Sequence, residues 1–273
     1  MHNTLQDRSQ RLRTITICFA LSAVAPLAAH AESNYVNTST QQSTGFSNGS
    51  IAPFTVCTTQ SPNLVAVVSG RAKVYWTSVL YKGTRMERGA EFCSSLVTHT
   101  DGWMGFNLTL PDKGNSSTYP SYPDTKEAAL AQVFQRGYCN SWAAMLRMRN
   151  NNLYMVHRAS CGKPTEALVA KDVTRGVSHP IVIHTRASHR KAGVVEVWYD
   201  GGKVYGAYNI DFGFGSWSGN ALATGNGQGF KFGQYAYDAD NYESSERRTV
   251  YYDNVSVLVG NAAAAYERVR PDK

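Results

Sequence analysis

The sequence predicts an all-β protein, a sandwich of two packed antiparallel sheets. From about Ile51 onward, short runs rich in Val, Ile, Tyr, Trp, Phe and Thr recur between turn residues. Only 17% of the 273 residues are charged, while Gly, Tyr, Ser, Thr and Asn are abundant, as is typical of extracellular β proteins. The 42% hydrophobic content suffices for a core, and a chain of this length commonly forms one large β domain.

The predicted strands follow one another at short intervals. They lie in residues 64–70, 73–81, 103–110, 152–159, 180–187, 193–210, 230–237 and 249–260. Segment 193–210 is predicted to be a hairpin, because Asp200, Gly201 and Gly202 tolerate the positive φ of a tight turn. Segment 125–135 is ambiguous: it begins like a helical turn, and its end equally suits a strand.

The N-terminus has the pattern of a secretory signal peptide over residues 1–31. Three arginines precede an apolar stretch, Ile15 to Leu27, and Ala29-His30-Ala31 has the small-x-small form of a cleavage site. The apolar stretch is too short for a comfortable membrane span. Residues 32–50 are predicted to be a flexible polar leader, and residues 51–273 a single domain.

Charge and cysteine content describe the expected environment. Without residues 1–31 the chain keeps 24 of 27 basic and 19 of 20 acidic residues, a net charge of +5 that favours polyanionic partners. Four cysteines remain, and of the three possible connectivities we prefer Cys57–Cys93 and Cys139–Cys161, the nearest neighbours in sequence. The absence of a C-x-x-C pair argues against zinc.

Segment 230–237 carries the most informative pattern for function. On a strand, Lys231, Gly233, Tyr235 and Tyr237 share one face, which is too polar for a core and suits the floor of a sugar-binding groove. The alternative is an exposed sheet face with ordinary cross-strand tyrosine packing. A glycosidase carboxylate pair was also sought; Glu196 and Asp200 have a fitting spacing, although an aspartate is common at a turn.

Lys-x-Gly-x-Tyr at 231–235 resembles the signature of jelly-roll polysaccharide lyases, a group that includes alginate lyases, glucuronan lyases and heparin lyase I. Further segments resemble this group in the same order: RMERGAEF (85–92), WMGFNLTLP (103–111), AQVF (131–134), GVVEVW (193–198) and VYYDNV (250–255). The resemblance spans residues 60–270 and is closest to the glucuronan-lyase and heparinase-like branch. It implies a concanavalin-like β-jelly roll and a lyase activity on a uronic-acid polymer, most of all glucuronan.

The chemistry of such a lyase explains the residue types. β-Elimination removes the C5 proton beside a carboxylate and releases the oxygen on C4, which requires donors and cations that neutralise the carboxylate. The resemblance implies that Tyr235 is base and acid, its pKa depressed by nearby cations, and that Gln132 helps to neutralise the carboxylate. Related alginate lyases have Gln-x-His, whereas this chain has Phe134. Either another histidine substitutes, for which His99 is the best candidate, or alginate is not the substrate.

Other residues receive supporting roles. Arg88 or Arg85 is expected to bind the carboxylate, a choice that the sequence leaves open. Lys231 is expected to bind the same carboxylate or an adjacent sugar. The remaining assignments to substrate binding are Tyr237, His184 and Gln135.

The sequence implies few other partners. No cofactor is required, although Asp253, with Asn254, is a candidate ligand of a structural Ca²⁺ ion. We expect a secreted or periplasmic monomer that binds an acidic polysaccharide, with no nucleic-acid partner, because no nucleic-acid motif is present, and no membrane partner. The rival functions are a non-catalytic carbohydrate-binding module and a glycoside hydrolase that uses Glu196.

Overall fold

A computed structural model describes residues 39–59, 61, 64–111, 127–139, 141–236 and 246–271. The strands are β1 (Thr40–Thr44), β2 (Thr55–Thr59), β3 (Val65–Val68), β4 (Arg71–Thr77), β5 (Gly89–Thr98), β6 (Asp101–Thr109), β7 (Ala128–Gln135), β8 (Ser141–Arg149), β9 (Asn152–His157), β10 (Thr165–Ala170), β11 (Ser178–Arg186), β12 (Ser188–Tyr199), β13 (Gly202–Phe212), β14 (Trp217–Ser218), β15 (Ala221–Leu222), β16 (Gln228–Tyr235) and β17 (Arg247–Val259). One short helix, α1, covers Ala265–Val269.

Two antiparallel sheets form the predicted sandwich. The eight-stranded sheet has the order β13-β12-β11-β6-β17-β4-β3, with β1 also paired to β17; the seven-stranded sheet has the order β10-β9-β8-β7-β16-β5-β2. Strands distant in sequence are neighbours in both sheets, as in a jelly roll. The described residues fall within one compact unit, Val36–Lys273, and no helix among them has the length and apolar character to cross a membrane.

Aromatic side chains from both sheets fill the core between them. Phe92 and Phe232 stack at 5.4 Å between ring centroids, and Phe106 from the opposite sheet meets Phe232 edge-on at the same distance. The buried hydroxyl of Tyr252 donates to the carbonyl oxygen of Leu130 at 2.5 Å, which satisfies its polar atom inside the core. Strand alternation therefore leaves the intervening residues on the outer faces.

The structure confirms the predicted strands and the hairpin. Asp200 and Gly201 form the turn between β12 and β13 with φ values of 50° and 83°. The ambiguous segment 125–135 contains a strand, β7, so its helical alternative is wrong for the described part. Strand β8 has the sequence SWAAMLRMR, in which Trp142 is the single strong β-former; its pairing with β7 and β9 outweighs local propensity.

The flexible leader is wrong for residues 40–44. Strand β1 pairs antiparallel with β17, from Thr40 opposite Val259 to Thr44 opposite Val255. Gln41 ties the strand further, since its Nε2 donates to Ser256 Oγ at 2.9 Å. Polar composition therefore did not imply disorder here, because the part of β17 beyond its pairing with β4 supplies the hydrogen bonds. Residues 1–31 lie outside the described residues, so the signal peptide stays a prediction.

Both predicted disulfides are present. Cys57–Cys93 joins β2 to β5 with 5.9 Å between Cα atoms. Cys139–Cys161 joins the segment before β8 to the segment after β9, with 5.7 Å between Cα atoms.

Lowering the pH should destabilise the fold through His157. This side chain is 4% exposed, and its Nε2 lies 2.8 Å from the Tyr205 hydroxyl. Burial lowers the pKa of His157 from 6.5 to about 4, so between these values the unfolded chain takes up a proton that the folded chain excludes. We expect the free energy of unfolding to be about 2 kcal/mol smaller at pH 5 than at pH 7 from this group.

Urea unfolding at the two pH values measures this effect. His157→Gln, which cannot titrate, should lose that part of the pH dependence. His189→Gln is the matched control, because His189 is exposed. This variant should keep the wild-type pH dependence of the free energy of unfolding. An unchanged pH dependence in His157→Gln would contradict the assignment.

Candidate active site

A cavity of about 480 Å³ opens on the outer face of the seven-stranded sheet. Its lining comes from β2, β7, β8, β16 and the segments beside them: Cys57, Thr58, Arg85, Met86, Gln132, Phe134, Cys139, Ser141, Trp142, Lys231 and Tyr235. Lys231 lies between the core residues Phe230 and Phe232, so alternation directs it away from the core. Each disulfide contributes one half-cystine to the rim.

Tyr235 lies at the end of β16, opposite Gly89 of β5 and Ala129 of β7. A Cβ atom at Gly89 would stand 3.1 Å from Tyr235 Cδ2, so the missing side chain leaves room for the ring. The ring also packs against the cluster formed by Ala129, Met145 and Val156. The phenol is therefore held between strands, with its hydroxyl within reach of Arg85, which donates a hydrogen bond to it.

The expected depression of the Tyr235 pKa is wrong in direction. Burial is the largest influence and raises the pKa above its ordinary value. The charge and hydrogen bond of Arg85, and the charge of Arg88, lower it in part, while Glu91 raises it. Tyr235 is consequently protonated at neutral pH in the free protein, because desolvation raises the pKa of the phenol by more than the two arginines lower it.

A buried carboxylate lies behind the polar groups that line the cavity. Glu91, on β5, is 1% exposed and accepts a hydrogen bond of 2.5 Å from Gln132 Nε2. Its second oxygen lies 3.3 Å from Lys231 Nζ, which also donates to Thr58 Oγ1 at 2.9 Å. The predicted Gln132 and Lys231 thus share one acidic partner and reach the cavity from neighbouring strands.

Gly233 explains the spacing of the Lys-x-Gly-x-Tyr motif. Its φ is 142°, and a Cβ atom there would stand 2.2 Å from the carbonyl oxygen of Ala90. The pairing between β16 and β7 also shifts register between Phe232 and Tyr235. The glycine is therefore required for close contact between β16 and β5.

The two arginine candidates differ in position. Arg85 lines the cavity, and its guanidinium carbon lies 5.8 Å from the centre of the Phe134 ring. Arg88 ends a 3₁₀ turn, Met86–Arg88, and stacks over Tyr81 at 5.5 Å. Arg88 acts on Tyr235 through its charge without lining the cavity, so the geometry favours Arg85 as the ligand of a carboxylate.

His99 is not brought together with Gln132. It follows β5 at the end where Thr98 pairs with Gln228, and its Nδ1 lies 2.9 Å from the carbonyl oxygen of Leu222. Gln228 and Tyr235 are seven residues apart on β16, or about 23 Å in an extended strand. The prediction that His99 replaces the missing histidine has no geometric support, because that prediction rested on chain distance alone.

Gln135 also lies outside the cavity. It is fully buried, its Oε1 accepts from the backbone N–H of Phe214 at 3.2 Å, and its Nε2 donates to the carbonyl oxygen of Phe214. Gln132 and Phe134 face the cavity, so alternation turns Gln135 toward the core. Its assignment to substrate binding is wrong, since the side chain is enclosed and its polar atoms are used.

His184 belongs to the other sheet. As predicted, it faces away from Ile181 and Ile183, but this face is the outer face of the eight-stranded sheet, on the far side of the core. Its Nδ1 lies 2.7 Å from Glu196 Oε2, and its ring stacks on Trp103 at 3.8 Å. A role in the cavity is excluded, because the core separates the two faces.

The carboxylate pair of a glycosidase is not formed. The hydrogen bond from His184, followed by those of Lys203 and Tyr208, lowers the pKa of Glu196 to about 2. Asp200 lies at the hairpin turn with its Oδ2 3.2 Å from His179 Nδ1. Glu196 therefore cannot hold the proton that a general acid needs at neutral pH.

Two assignments remain predictions. Tyr237 lies outside the described residues. Asp253 Oδ1 accepts a hydrogen bond from the backbone N–H of Asn254 at 2.8 Å. Among the described residues there is no group of three or more His, Cys, Asp or Glu side chains arranged to hold a metal ion.

The family model described as polysaccharide lyase matches residues 31–256. The chain belongs to the polysaccharide lyase family. This assignment overturns the binding-module and glycoside-hydrolase alternatives. No curated protein resembles the lyase significantly in sequence.

A solved structure supports the fold. The lyase resembles the endo-beta-1,4-glucuronan lyase from the fungus Trichoderma reesei at a TM-score of 0.59 and 19% identity, over 86% of this chain and 98% of that one. It also resembles the alginate lyase PA1167 from Pseudomonas aeruginosa, with a TM-score of 0.49, 12% identity, and coverage of 72% and 86%.

Sequence reasoning missed several residues of this lyase's cavity. Glu91 was part of a recognised segment, but nothing local marked it as a partner of Gln132, 41 positions away. Trp142 lines the cavity in a strand that was not predicted, and the guanidinium carbon of Arg158 lies 4.1 Å from the centre of its ring. An aromatic residue at a cavity rim can stack on a sugar, and a tryptophan directly after the polar residues Asn140 and Ser141 was the available signal.

Proposed function

We propose that this lyase cleaves a chain of β-linked glucuronate by β-elimination, with Tyr235 as both base and acid. The observation that carries the proposal is the convergence of Tyr235, Arg85, Gln132 and Lys231 on one cavity. The phenolate of Tyr235 takes the C5 proton, and the C5–H electrons form the C4–C5 double bond. The C4–O4 bond then breaks, and Tyr235 returns the proton to the departing oxygen.

The neutralisation of the uronate carboxylate falls to the three other groups. Arg85 supplies a guanidinium with several donors, and Gln132 and Lys231 supply an amide N–H and an ammonium. These donors stabilise the negative charge that moves onto the carboxylate when C5 loses its proton. No additional acid, base or redox partner is needed for the balance of protons and electrons.

The configuration at C5 supports glucuronate or mannuronate over guluronate and iduronate. In glucuronate and mannuronate the C5 proton and the C4 oxygen lie on the same side of the ring, so one tyrosine can serve both. In guluronate and iduronate they lie on opposite sides, and a second proton-transfer group, usually histidine, is needed. Within the described part of the chain, the cavity lining includes no histidine, and His99 and His184 lie elsewhere.

Ultraviolet absorbance during incubation with glucuronan, with alginate as its polymannuronate and polyguluronate blocks, with heparin and with hyaluronan tests this function. Elimination produces a C4–C5 double bond conjugated to the carboxylate, which absorbs where the polymer does not. We expect absorbance to rise with glucuronan, and less with polymannuronate than with glucuronan. Flat traces on every polymer, from folded protein, would overturn the proposal; a rise on polyguluronate alone would overturn the single-tyrosine mechanism.

Removing Arg85 should shift the pH dependence of turnover. Turnover needs the phenolate, so the rate should rise with pH toward the pKa of Tyr235. Arg85 lowers that pKa by charge and hydrogen bonding. Arg85→Gln should therefore move this rise in rate, here called the alkaline limb of the pH–rate profile, to higher pH. Arg71→Gln is the control, because Arg71 stacks over Tyr251 on the eight-stranded sheet. If Arg85→Gln leaves the alkaline limb at its wild-type pH, Arg85 does not control the pKa of Tyr235.

We also propose that the lyase acts outside the cytoplasm, in the periplasm or the medium. Two disulfides support this location, because they persist in oxidising compartments. N-terminal sequencing of the exported protein should begin at Glu32; a mature chain that retains the first 31 residues would contradict the predicted cleavage.

A further inference from the structure

Glu91 occupies an enclosed position behind the groups that line the cavity. It pairs with Gly233 of β16 on one side and with Thr58 of β2 on the other. It is 1% exposed and does not itself line the cavity. Burial of a carboxylate costs several kcal/mol unless donors compensate it. Here the compensating donors are Gln132 and Lys231, the residues that the proposed mechanism directs at the substrate.

The two hydrogen bonds constrain both donors. A carboxylate only accepts hydrogen bonds, so Gln132 must turn its Nε2 and not its Oε1 toward Glu91. The second N–H of the same nitrogen is then left for a ligand in the cavity. Lys231 is held between Glu91 at 3.3 Å and Thr58 at 2.9 Å, which restricts an otherwise flexible side chain.

We propose that Glu91 is a positioning residue, which fixes the amide of Gln132 and the ammonium of Lys231 toward the substrate carboxylate. This role rests on the proposed β-elimination. Without Glu91 the amide is free to rotate and to present its oxygen to the substrate carboxylate, which would repel it. A misplacement of about 1 Å in a group that stabilises the transition state costs about 10²-fold in rate.

The charge of Glu91 also provides a readout that a structural role would not move. The groups around Tyr235 are Arg85 and Arg88 beside the 3₁₀ turn, Glu91 on β5, Lys231 on β16 and Tyr154 on β9. Glu91 is the carboxylate among them that raises the pKa of Tyr235. Its removal should therefore move the alkaline limb of the pH–rate profile to lower pH.

Glu91→Gln tests the proposal by steady-state kinetics on the preferred polymer. We expect kcat to fall by about 10²-fold, KM to change by less than about threefold, and the alkaline limb to move to lower pH. Glu246→Gln is the matched control, because Glu246 is also largely buried and pairs with Arg248 at 2.5 Å, away from the cavity. It should keep the wild-type kcat and pH profile.

A second variant separates folding from positioning. Glu91→Asp keeps the charge but shortens the side chain by one methylene, so kcat should fall while the alkaline limb stays near its wild-type pH. If Glu91→Gln does not fold, Glu91→Asp decides: an unchanged kcat would overturn the proposal. An unchanged kcat and limb in folded Glu91→Gln would overturn it as well.

Direct titration of Tyr235 distinguishes this failure from failure of the proposed function. Tyrosinate absorbance, measured as the difference between each protein and its Tyr235→Phe counterpart, reports the ionisation of Tyr235 without any substrate. Wild-type protein inactive on all polymers would overturn the function and, with it, this role. Active wild type with both its kcat and its Tyr235 titration unchanged in folded Glu91→Gln would overturn the inference about Glu91 alone.

Discussion

Tyr235→Phe is expected to lower kcat on the preferred polyuronate by 10² to 10⁴-fold, on the order of the contribution of general acid–base catalysis. The change removes only the hydroxyl that takes and returns the proton. The ring keeps its contacts with Ala129, Met145 and Val156, so the fold should be unaffected. Binding of the polymer should also persist, because Arg85, Gln132, Lys231 and the cavity walls remain in place.

Kinetics and binding have to be measured on the same protein preparations. The absorbance assay gives kcat, and affinity electrophoresis in a gel that contains the polymer gives binding. Tyr251→Phe is the matched control, because Tyr251 lies on β17 of the opposite sheet, beneath Arg71. Turnover retained in Tyr235→Phe would remove tyrosine from the mechanism, and loss of binding would assign it to recognition instead.

Gln132→Leu should lower kcat by about 10² to 10³-fold, the usual effect of losing one donor to a developing negative charge. Leucine is close to glutamine in size but offers no N–H to the substrate carboxylate. The same change removes the 2.5 Å hydrogen bond to Glu91. Because that carboxylate is buried, we also expect a loss of about 1–3 kcal/mol in the free energy of unfolding.

Gln135→Leu is the informative control for this change. Gln135 lies on the same strand and is also buried, but it bonds to Phe214 and Gln228. It should lose stability to a similar extent while the folded fraction keeps its kcat. Urea unfolding and the absorbance assay separate the two effects. A kcat that falls in Gln135→Leu and stays normal in Gln132→Leu would reverse the assignment of the two glutamines.

Individual site residues differ in how well strand alternation predicted their positions. Lys231 and Tyr235 were predicted to share a face, and both line the cavity, because they are four residues apart on one continuous strand. Alternation alone also turns Gln135 away from Gln132, so that error was avoidable. The position of His99 was not predictable in this way. His99 follows β5, and only the pairing of β5 with β16 shows that this end of β5 lies beside the start of β16, far from Tyr235.

Electrostatic properties were the least accessible to sequence reasoning. The cations expected to depress the pKa of Tyr235 are present, yet burial outweighs them. The partnership of Glu91 with Gln132 and Lys231 joins three strands, β5, β7 and β16, whose order follows from the pairing of the whole sheet. Desolvation and charge proximity are sums over such neighbours, and neither can be read from one segment.

The sequence by itself determined the all-β class, the strands with clear β-type composition and the tight turn at Asp200, and it supplied a preference for the cysteine pairing that the structure confirmed. It also identified the motif that contains Lys231 and Tyr235. These are properties of short segments or of chain distance. The tertiary structure alone decided that Glu91 and Arg85 meet this motif while His99 and His184 do not. The physical reason is that pairing between distant strands assigns each segment to a sheet and a face, and only then do charge, burial and hydrogen bonding acquire their values.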